Sequence, residues 1–248
     1  MTDQKTAFVT GAARGLGRET AFALARDGVA LYLVDILAER LEATAHDLRQ
    51  AGASVATRVV DVSSRQQCCD AVADCVAQSG RLDVLVNCAG LLRFNHVTDV
   101  SEEEWNRVIA VNLSGPMWLC QAALPHIIAA HGNIVNVGSS NGVNGTPYTI
   151  TYSATKAALI NMTKTMAMEY MDQPIRINCV CPGPMATEIG EDVVRQPTMQ
   201  LDKIARYAGM RGASEPGEVA DVIAFIASDA ASAVHGAIWM TDTGVSAG

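Results

Sequence analysis

The chain has few aromatic residues: they fill 5% of its 248 positions, while hydrophobic residues in all make up 49%. Its apolar content is therefore mostly Ala, Val, Leu and Ile, a composition that suits parallel strands covered by helices on both faces. A basic excess is missing too. The net charge of −8 argues against nucleic acid as a partner, because a phosphate binder needs a positive surface. No C-x-x-C pair occurs among the seven cysteines, Cys68, Cys69, Cys75, Cys88, Cys120, Cys179 and Cys181. An odd number at these spacings reads as reduced, mostly buried thiols of a cytoplasmic protein. Cys179 and Cys181 can face one way from a strand, but no histidine or second cysteine pair completes a zinc pattern, so no metal is expected. The opening MTDQKTAFVTG has no long apolar run behind a charged start, so no signal peptide is expected there. No apolar stretch approaches the ~20 residues of a membrane span.

What is present is a regular alternation of short apolar runs and helical patterns. Strands are expected at 6–10, 30–35, 54–61, 82–90, 133–140, 175–183 and 237–242. Helices are expected at 19–28, 36–52, 63–80, 101–132, 151–171 and 215–231. Ser63 and Ser64 suit a helix N-terminus and Gly80 a helix stop, while Pro116 and Pro125 are expected to kink or end parts of the long region 101–132. Strand alternating with helix implies right-handed crossovers and a parallel sheet, an α/β fold. No linker, repeat or low-complexity segment interrupts it, so residues 1–248 are expected to form one domain. Only 184–214 lacks a period; a loop of that length is expected to be a lid or substrate loop.

The segment TGAARGLG follows the first strand and opens a helix, with glycines at Gly11, Gly15 and Gly17. This is the context of a dinucleotide turn, where glycines let the backbone, Leu16 included, approach a pyrophosphate at a helix N-terminus. Asp35 ends the second strand, where a carboxylate can accept from an adenosine ribose and repel a 2′-phosphate, favouring NAD over NADP. Arg14, inside the turn, is the counter-argument. Asp61, followed by Val62, closes the third strand and can meet the adenine edge or cap the next helix. Asn87, Ala89 and Gly90 close the fourth. All lie at carboxyl ends of strands, where open α/β sheets bind ligands.

TYSATK (151–156) places Tyr152 and Lys156 on one helix face. An ammonium about 4 Å from a phenolate stabilises it by about 4 kcal/mol at an effective dielectric of 20, the right size to make a phenol useful as a base near neutrality. TGAARGLG, NCAG (87–90), VNLSG (111–115), Ser139 ahead of YSATK, and PGPMAT (182–187) together resemble the short-chain dehydrogenase/reductase family, in order and over essentially the whole chain. The resemblance implies a Rossmann fold: a doubly wound, seven-stranded parallel sheet of order 3-2-1-4-5-6-7. It also implies a catalytic set in which Tyr152 is the acid/base, Lys156 its partner, Ser139 the group binding the substrate oxygen and Asn112 the residue completing a proton relay. Tyr152, Lys156, Pro182, Gly183, Met185 and Thr187 would flank the nicotinamide end, Thr187 touching its carboxamide or phosphate. The family pattern further implies a homotetramer, or a dimer, built through 101–130, 151–171 and the C-terminal segment. Two departures stand out: NCAG replaces the commoner NNAG, and DTG (242–244) replaces DGG.

Ser140 competes with Ser139, and only its spacing to Tyr152 favours the latter. His46, His126 and His131 read as surface or helix-end residues, and His96 as a residue that can border the pocket. Leu91, Leu92, Asn141, Pro147, Thr149, Met185, Ile189, Met199, Tyr207 and Met210 are the expected pocket walls, suiting an apolar or cyclic secondary alcohol or ketone. Arg93 and Arg211 can bind an acid group, though solvated arginines are the plainer reading. The expectation is an NAD-dependent dehydrogenase. The alternatives are an NADPH-dependent carbonyl reductase of the ketoacyl type, motivated by Arg14, and a nucleotide-binding module without catalysis.

Overall fold

A computed structural model of the chain describes residues 4–186, 198–205 and 211–247. Its strands are β1 (Thr6–Thr10), β2 (Ala30–Asp35), β3 (Val55–Val59), β4 (Val84–Asn87), β5 (Asn133–Val137), β6 (Arg176–Pro182) and β7 (Ile238–Thr241). They form one sheet of order β3-β2-β1-β4-β5-β6-β7, every neighbouring pair parallel. The helices are α1 (Gly15–Arg26), α2 (Ala38–Gln50), α3 (Arg65–Ser79), α4 (Glu102–Ile109), α5 (Gly115–Ala130), α6 (Ile150–Glu169), α7 (Leu201–Ala205) and α8 (Pro216–Ala227).

The strands read as unbroken apolar runs because both faces of the sheet are covered. Side chains alternate across the pleat. Ala7, Val9, Leu31, Leu33, Val84 and Val86 join a core with Leu24 of α1, Leu41 of α2 and Ile223 of α8. Their neighbours Phe8, Tyr32, Val34 and Leu85 join a second core with Val72 of α3, Ile127 of α5 and Met166 of α6. The strand order reverses between β1 and β4, and the crevice at their carboxyl ends is where such sheets take ligands.

Three expectations are corrected. The long helical region does not break at its prolines. A π turn, Ala110–Ser114, separates α4 from α5, Pro116 sits harmlessly in the first turn of α5, and Pro125 lies inside that helix, which continues to Ala130. By length and composition the run Glu102–Ala130 is apolar enough to cross a membrane, contrary to the sequence reading; half of its most apolar window is buried inside the domain. The region 184–214 is not all loop. It holds α7, and its two ends are tied where Ala186 N donates to Ser214 O (3.0 Å) and Ser214 N to Pro184 O (3.0 Å). Helix α3 follows its sequence signals: Ser64 Oγ accepts from Gln67 N (3.4 Å), and Gly80 closes the helix in the left-handed region at φ 75°.

Candidate active site

A crevice of about 400 Å³ runs across the carboxyl ends of β1 to β6. At one end is the glycine turn. Helix α1 starts at Gly15 with Arg14 at its N-cap, no side chain caps it, and its first turn carries no acid. Its orphan N–H groups and positive dipole end are therefore available to an anion. The turn is tightly closed: a Cβ on Gly17 would stand 2.1 Å from Gly11 O, and one on Gly11 2.9 Å from Ala89 Cα. Only bare backbone fits there. Thr10 Oγ1 fastens the turn to the loop after β4 by accepting from both Cys88 N and Ala89 N (2.9 Å each).

Asp35 ends β2 with both carboxylate oxygens anchored. Oδ2 accepts from Ala13 N and Oδ1 from Leu37 N, each at 3.0 Å. A carboxylate oxygen has a second lone pair, so each can still accept from a hydroxyl in the crevice. Asp61 faces the same end. Burial alone would raise its pKa, but hydrogen bonds from Ser63 Oγ (2.7 Å) and Ser63 N (3.0 Å), with the Arg107 guanidinium at 3.2 Å, hold it below the ordinary carboxylate range. Asp61 thus organises the turn before α3, while Ser64 performs the capping. These residues fit a dinucleotide: an uncapped helix start beside an acid that can take ribose hydroxyls, with a side-chain-free floor between them.

The other end holds the reactive groups. Beyond β5 the chain enters a short 3₁₀ turn, Ser140–Gly142, whose cap is Ser139; Ser139 Oγ accepts from Asn141 N at 3.1 Å. That bond uses a lone pair and leaves the hydroxyl proton to donate elsewhere. Tyr152 and Lys156 lie on α6. The Lys156 ammonium is buried, donates to Val137 O at 2.6 Å and stands 5.6 Å from the Tyr152 ring centroid. Ser139, Tyr152 and Lys156 all line the crevice; Ser140 is buried and does not. What sets Ser139 against α6 is Gly142, a residue the sequence reading passed over. A Cβ there would come within 2.7 Å of Lys156 C and 2.8 Å of Ala157 N, so the turn rests directly on the helix backbone.

Gly11, Arg14, Gly15, Leu16, Gly17, Asp35, Asp61, Val62, Ala89, Gly90, Pro182, Gly183 and Met185 line the same crevice. Asn87 and Asn112 are buried behind its wall. The Asn87 amide donates to Asn136 Oδ1 at 2.8 Å. Asn112, in the π turn, grips Leu91: Leu91 N donates to its Oδ1 (2.8 Å) and its Nδ2 donates to Leu91 O (3.0 Å). The same Nδ2 reaches Thr155 Oγ1 (3.1 Å), which donates to Tyr152 O (2.8 Å). Thr155 lies inside the YSATK motif, but nothing in the sequence marks it as this link. Of the expected walls, Leu91 and Met185 line the crevice, and Leu92, Asn141, Pro147, Thr149 and Met199 do not. Thr187, Ile189, Tyr207 and Met210 lie outside the described residues. His96 is not on the crevice; its ring packs edge-on to Tyr148 and Nε2 lies 3.0 Å from Thr198 Oγ1. Cys88 is on the wall, its thiol pushed up to about 12 by burial, and so stays neutral near pH 7. Cys179 and Cys181 do face one way, their sulfurs 3.7 Å apart, and no metal-binding group of side chains occurs among the described residues.

A sequence profile described as short chain dehydrogenase matches residues 5–198. The chain belongs to the short-chain dehydrogenase/reductase family. It is 36% identical over 245 residues to the 3-oxoacyl-(acyl-carrier-protein) reductase FabG of Thermotoga maritima, with 97% of each chain covered. It is 35% identical to a D-threitol dehydrogenase of Mycolicibacterium smegmatis, over 98% of this chain and 93% of that one. A solved dehydrogenase/reductase from Sinorhizobium meliloti superposes with a TM-score of 0.89 at 30% identity, over 98% of this chain and 95% of that one. The protein is an oxidoreductase of this type, and its family uses a nicotinamide dinucleotide.

Proposed function

We propose that the protein is an NAD-dependent dehydrogenase that interconverts a secondary alcohol and its ketone, on an apolar or cyclic carbon skeleton, within a single domain. The observation that carries this reading is the joint placement of Ser139, Tyr152 and Lys156 at one end of a crevice whose other end presents Asp35. When bound, the nicotinamide ring supplies the hydride acceptor or donor. In the oxidative direction the Tyr152 phenolate takes the hydroxyl proton of the alcohol. Ser139, its lone pair occupied by Asn141 N, donates its own proton to the same oxygen and holds it toward Tyr152. The buried Lys156 ammonium, fixed by Val137 O, holds a positive charge 5.6 Å from the centre of the Tyr152 ring. Asn112 holds Leu91 and, through Thr155, the first turn of α6, so the substrate wall and the base share one frame. Reduction runs the proton steps in reverse, with Tyr152 as the acid. Thr187 is assigned to the cofactor on the family pattern.

NAD is preferred because the Asp35 carboxylate would meet a 2′-phosphate head on. A second reading, an NADPH-dependent ketoacyl-type reductase, is favoured by one observation: Arg40 of α2 shares a surface hollow with Arg14 and Arg18. The Thermotoga relative is named for that activity. A screen of secondary alcohols and ketones with both cofactors, followed by nicotinamide absorbance, separates the two. Tyr152→Phe should abolish turnover and leave the dissociation constant of NAD within about threefold, since one hydroxyl is removed from the reacting end. Retained turnover sinks the assignment.

The reading includes self-association as a homotetramer. Trp105, Met117, Ile150, Met168 and Met171 of the α4–α6 region are exposed apolar side chains of the kind an interface covers. Light scattering should return about four times the 26.2 kDa chain mass; a monomer would refute it.

A further inference from the structure

We propose that Arg93 binds an anionic group of the substrate, so that the alcohol oxidised is a hydroxy acid and the product the matching keto acid. This rests on the dehydrogenase reading above and narrows its substrate class. Charged side chains on the crevice wall are Arg14, Asp35, Asp61, Arg93, Arg107 and Lys156. Most are committed. Arg14 belongs to the glycine turn, Arg107 binds Asp61 and Ser63, and Lys156 binds Val137 O. Both acids lie at the ends of β2 and β3, where backbone N–H groups, Ser63 and Arg107 occupy them.

Arg93 differs. It is half-buried on the loop after β4, and among the described residues its guanidinium makes one hydrogen bond, from Nη1 to Leu92 O at 2.9 Å. No acidic side chain pairs with it among the described residues. A guanidinium has five donors in a planar fork that matches a carboxylate, so most of its capacity is left over. In a chain of net charge −8, a half-buried arginine with no acidic partner among the described residues lines the crevice from the loop after β4, the strand next to β5 and its Ser139 turn. Its loop is also held in place. Leu91, two residues earlier, is gripped on both backbone groups by Asn112, and Asn112 is joined through Thr155 to the backbone of Tyr152. The loop that carries the cation is therefore tied to the helix that carries the base, as the support of a residue that orients a substrate must be. Leu91 and Met185 line the same crevice and suit the carbon chain between carboxylate and carbinol.

The test uses the full-length protein with NAD and the series 3-hydroxybutanoate, 4-hydroxypentanoate and 5-hydroxyhexanoate, each against its methyl ester, because the geometry fixes the charge and not the chain length. The wild type should prefer at least one free acid over its ester in kcat/KM by about tenfold or more, the loss expected for a missing charge-assisted hydrogen bond. Arg93→Ala should erase that preference, chiefly through KM, and Arg93→Lys should keep part of it, the charge remaining without the fork. Esters serving as well as acids throughout the series, or Arg93→Ala lowering both alike, would overturn the proposal. So would a loss of NADH affinity in Arg93→Ala that accounts for the whole effect. Turnover of neutral alcohols without an acid preference would leave the dehydrogenase reading intact and remove only the role of Arg93. If no alcohol is turned over, the dehydrogenase reading fails by itself. Calorimetry of 3-oxobutanoate, 4-oxopentanoate and 5-oxohexanoate with the NAD-loaded protein then decides the anion site: binding that Arg93→Ala abolishes supports it, and no binding by any of the three overturns it.

Discussion

Gly142→Ala tests how the site is assembled without touching a reacting group. The added Cβ would lie 2.7 Å from Lys156 C, 2.8 Å from Ala157 N and 2.9 Å from Lys156 O. All three are backbone atoms of α6, so no side chain can swing aside. Restoring ordinary contact at about 3.4 Å requires the 140–142 turn to retreat by roughly 0.7 Å, the difference between 3.4 and 2.7 Å. Ser139 caps that turn through Asn141 N, so its hydroxyl moves with it, away from the Tyr152 oxygen. A misplacement of this size costs on the order of ten- to a hundredfold in kcat, and forced overpacking costs about 1–3 kcal/mol of stability. The elements proposed to hold the cofactor, the glycine turn and Asp35, lie at the other end of the crevice and should not respond. The assay is steady-state kinetics on any alcohol found in the screen, with NADH affinity by fluorescence and a thermal melt. Wild-type kcat in Gly142→Ala would refute the argument that this turn's seating on α6 positions the serine. Equal losses in kcat and NADH affinity would show a general disruption instead.

Asp35→Ser should lower the ratio of kcat/KM for NAD over NADP by about tenfold or more, because a unit charge facing the 2′-position is removed; an unchanged ratio would show that the carboxylate does not read the ribose. Acid should destabilise the fold through Asp61 and Asp242. For Asp242, burial works upward, but bonds from Ser246 Oγ and N and from Gly244 N prevail and hold it below the ordinary range. A depressed folded-state value contributes stability that is present above the unfolded pKa of about 3.9 and is lost as pH falls through the folded value. Asp242→Asn should therefore melt lower at pH 7 and show a smaller further loss between pH 5 and pH 3; an acid limb identical to the wild type would refute this.

Much of the sheet was legible because each strand is apolar on both faces, so short runs such as TAFVT and ALYLVD stand out by themselves. The ends were less so. The predicted strand 82–90 stops at Asn87, because the NCAG backbone turns to meet Thr10 Oγ1 instead of continuing the ladder. The break in 101–132 escaped because a π turn has no compositional mark, while Pro125, the conspicuous residue, sits in a helix that tertiary packing sustains. The glycine turn and Asp35 could be placed on the crevice from spacing, since their positions depend on local backbone and on one strand end. Gly142 and Thr155 could not: each matters only because a segment distant in sequence lies against it.

That distinction explains how the candidate site is built. The three groups that would meet substrate sit on two elements, the turn after β5 and helix α6, and the wall opposite them sits on a third, the loop after β4. Loops are the mobile parts of such folds, yet each of these is clamped by a side chain or a contact from elsewhere in the chain: Asn112 on Leu91, Thr155 on Tyr152 O, Gly142 on the α6 backbone, Thr10 on Cys88 and Ala89. Pre-organisation of this kind matters for the proposed reaction, in which a proton acceptor and a hydride acceptor would have to be held against one carbinol. It also makes Arg93 informative. A cation on a free loop would be a solvated charge, but Arg93 sits on a loop pinned through Asn112 to the helix that carries the base, so Arg93→Ala should remove the preference for acid over ester and leave turnover of the esters unchanged.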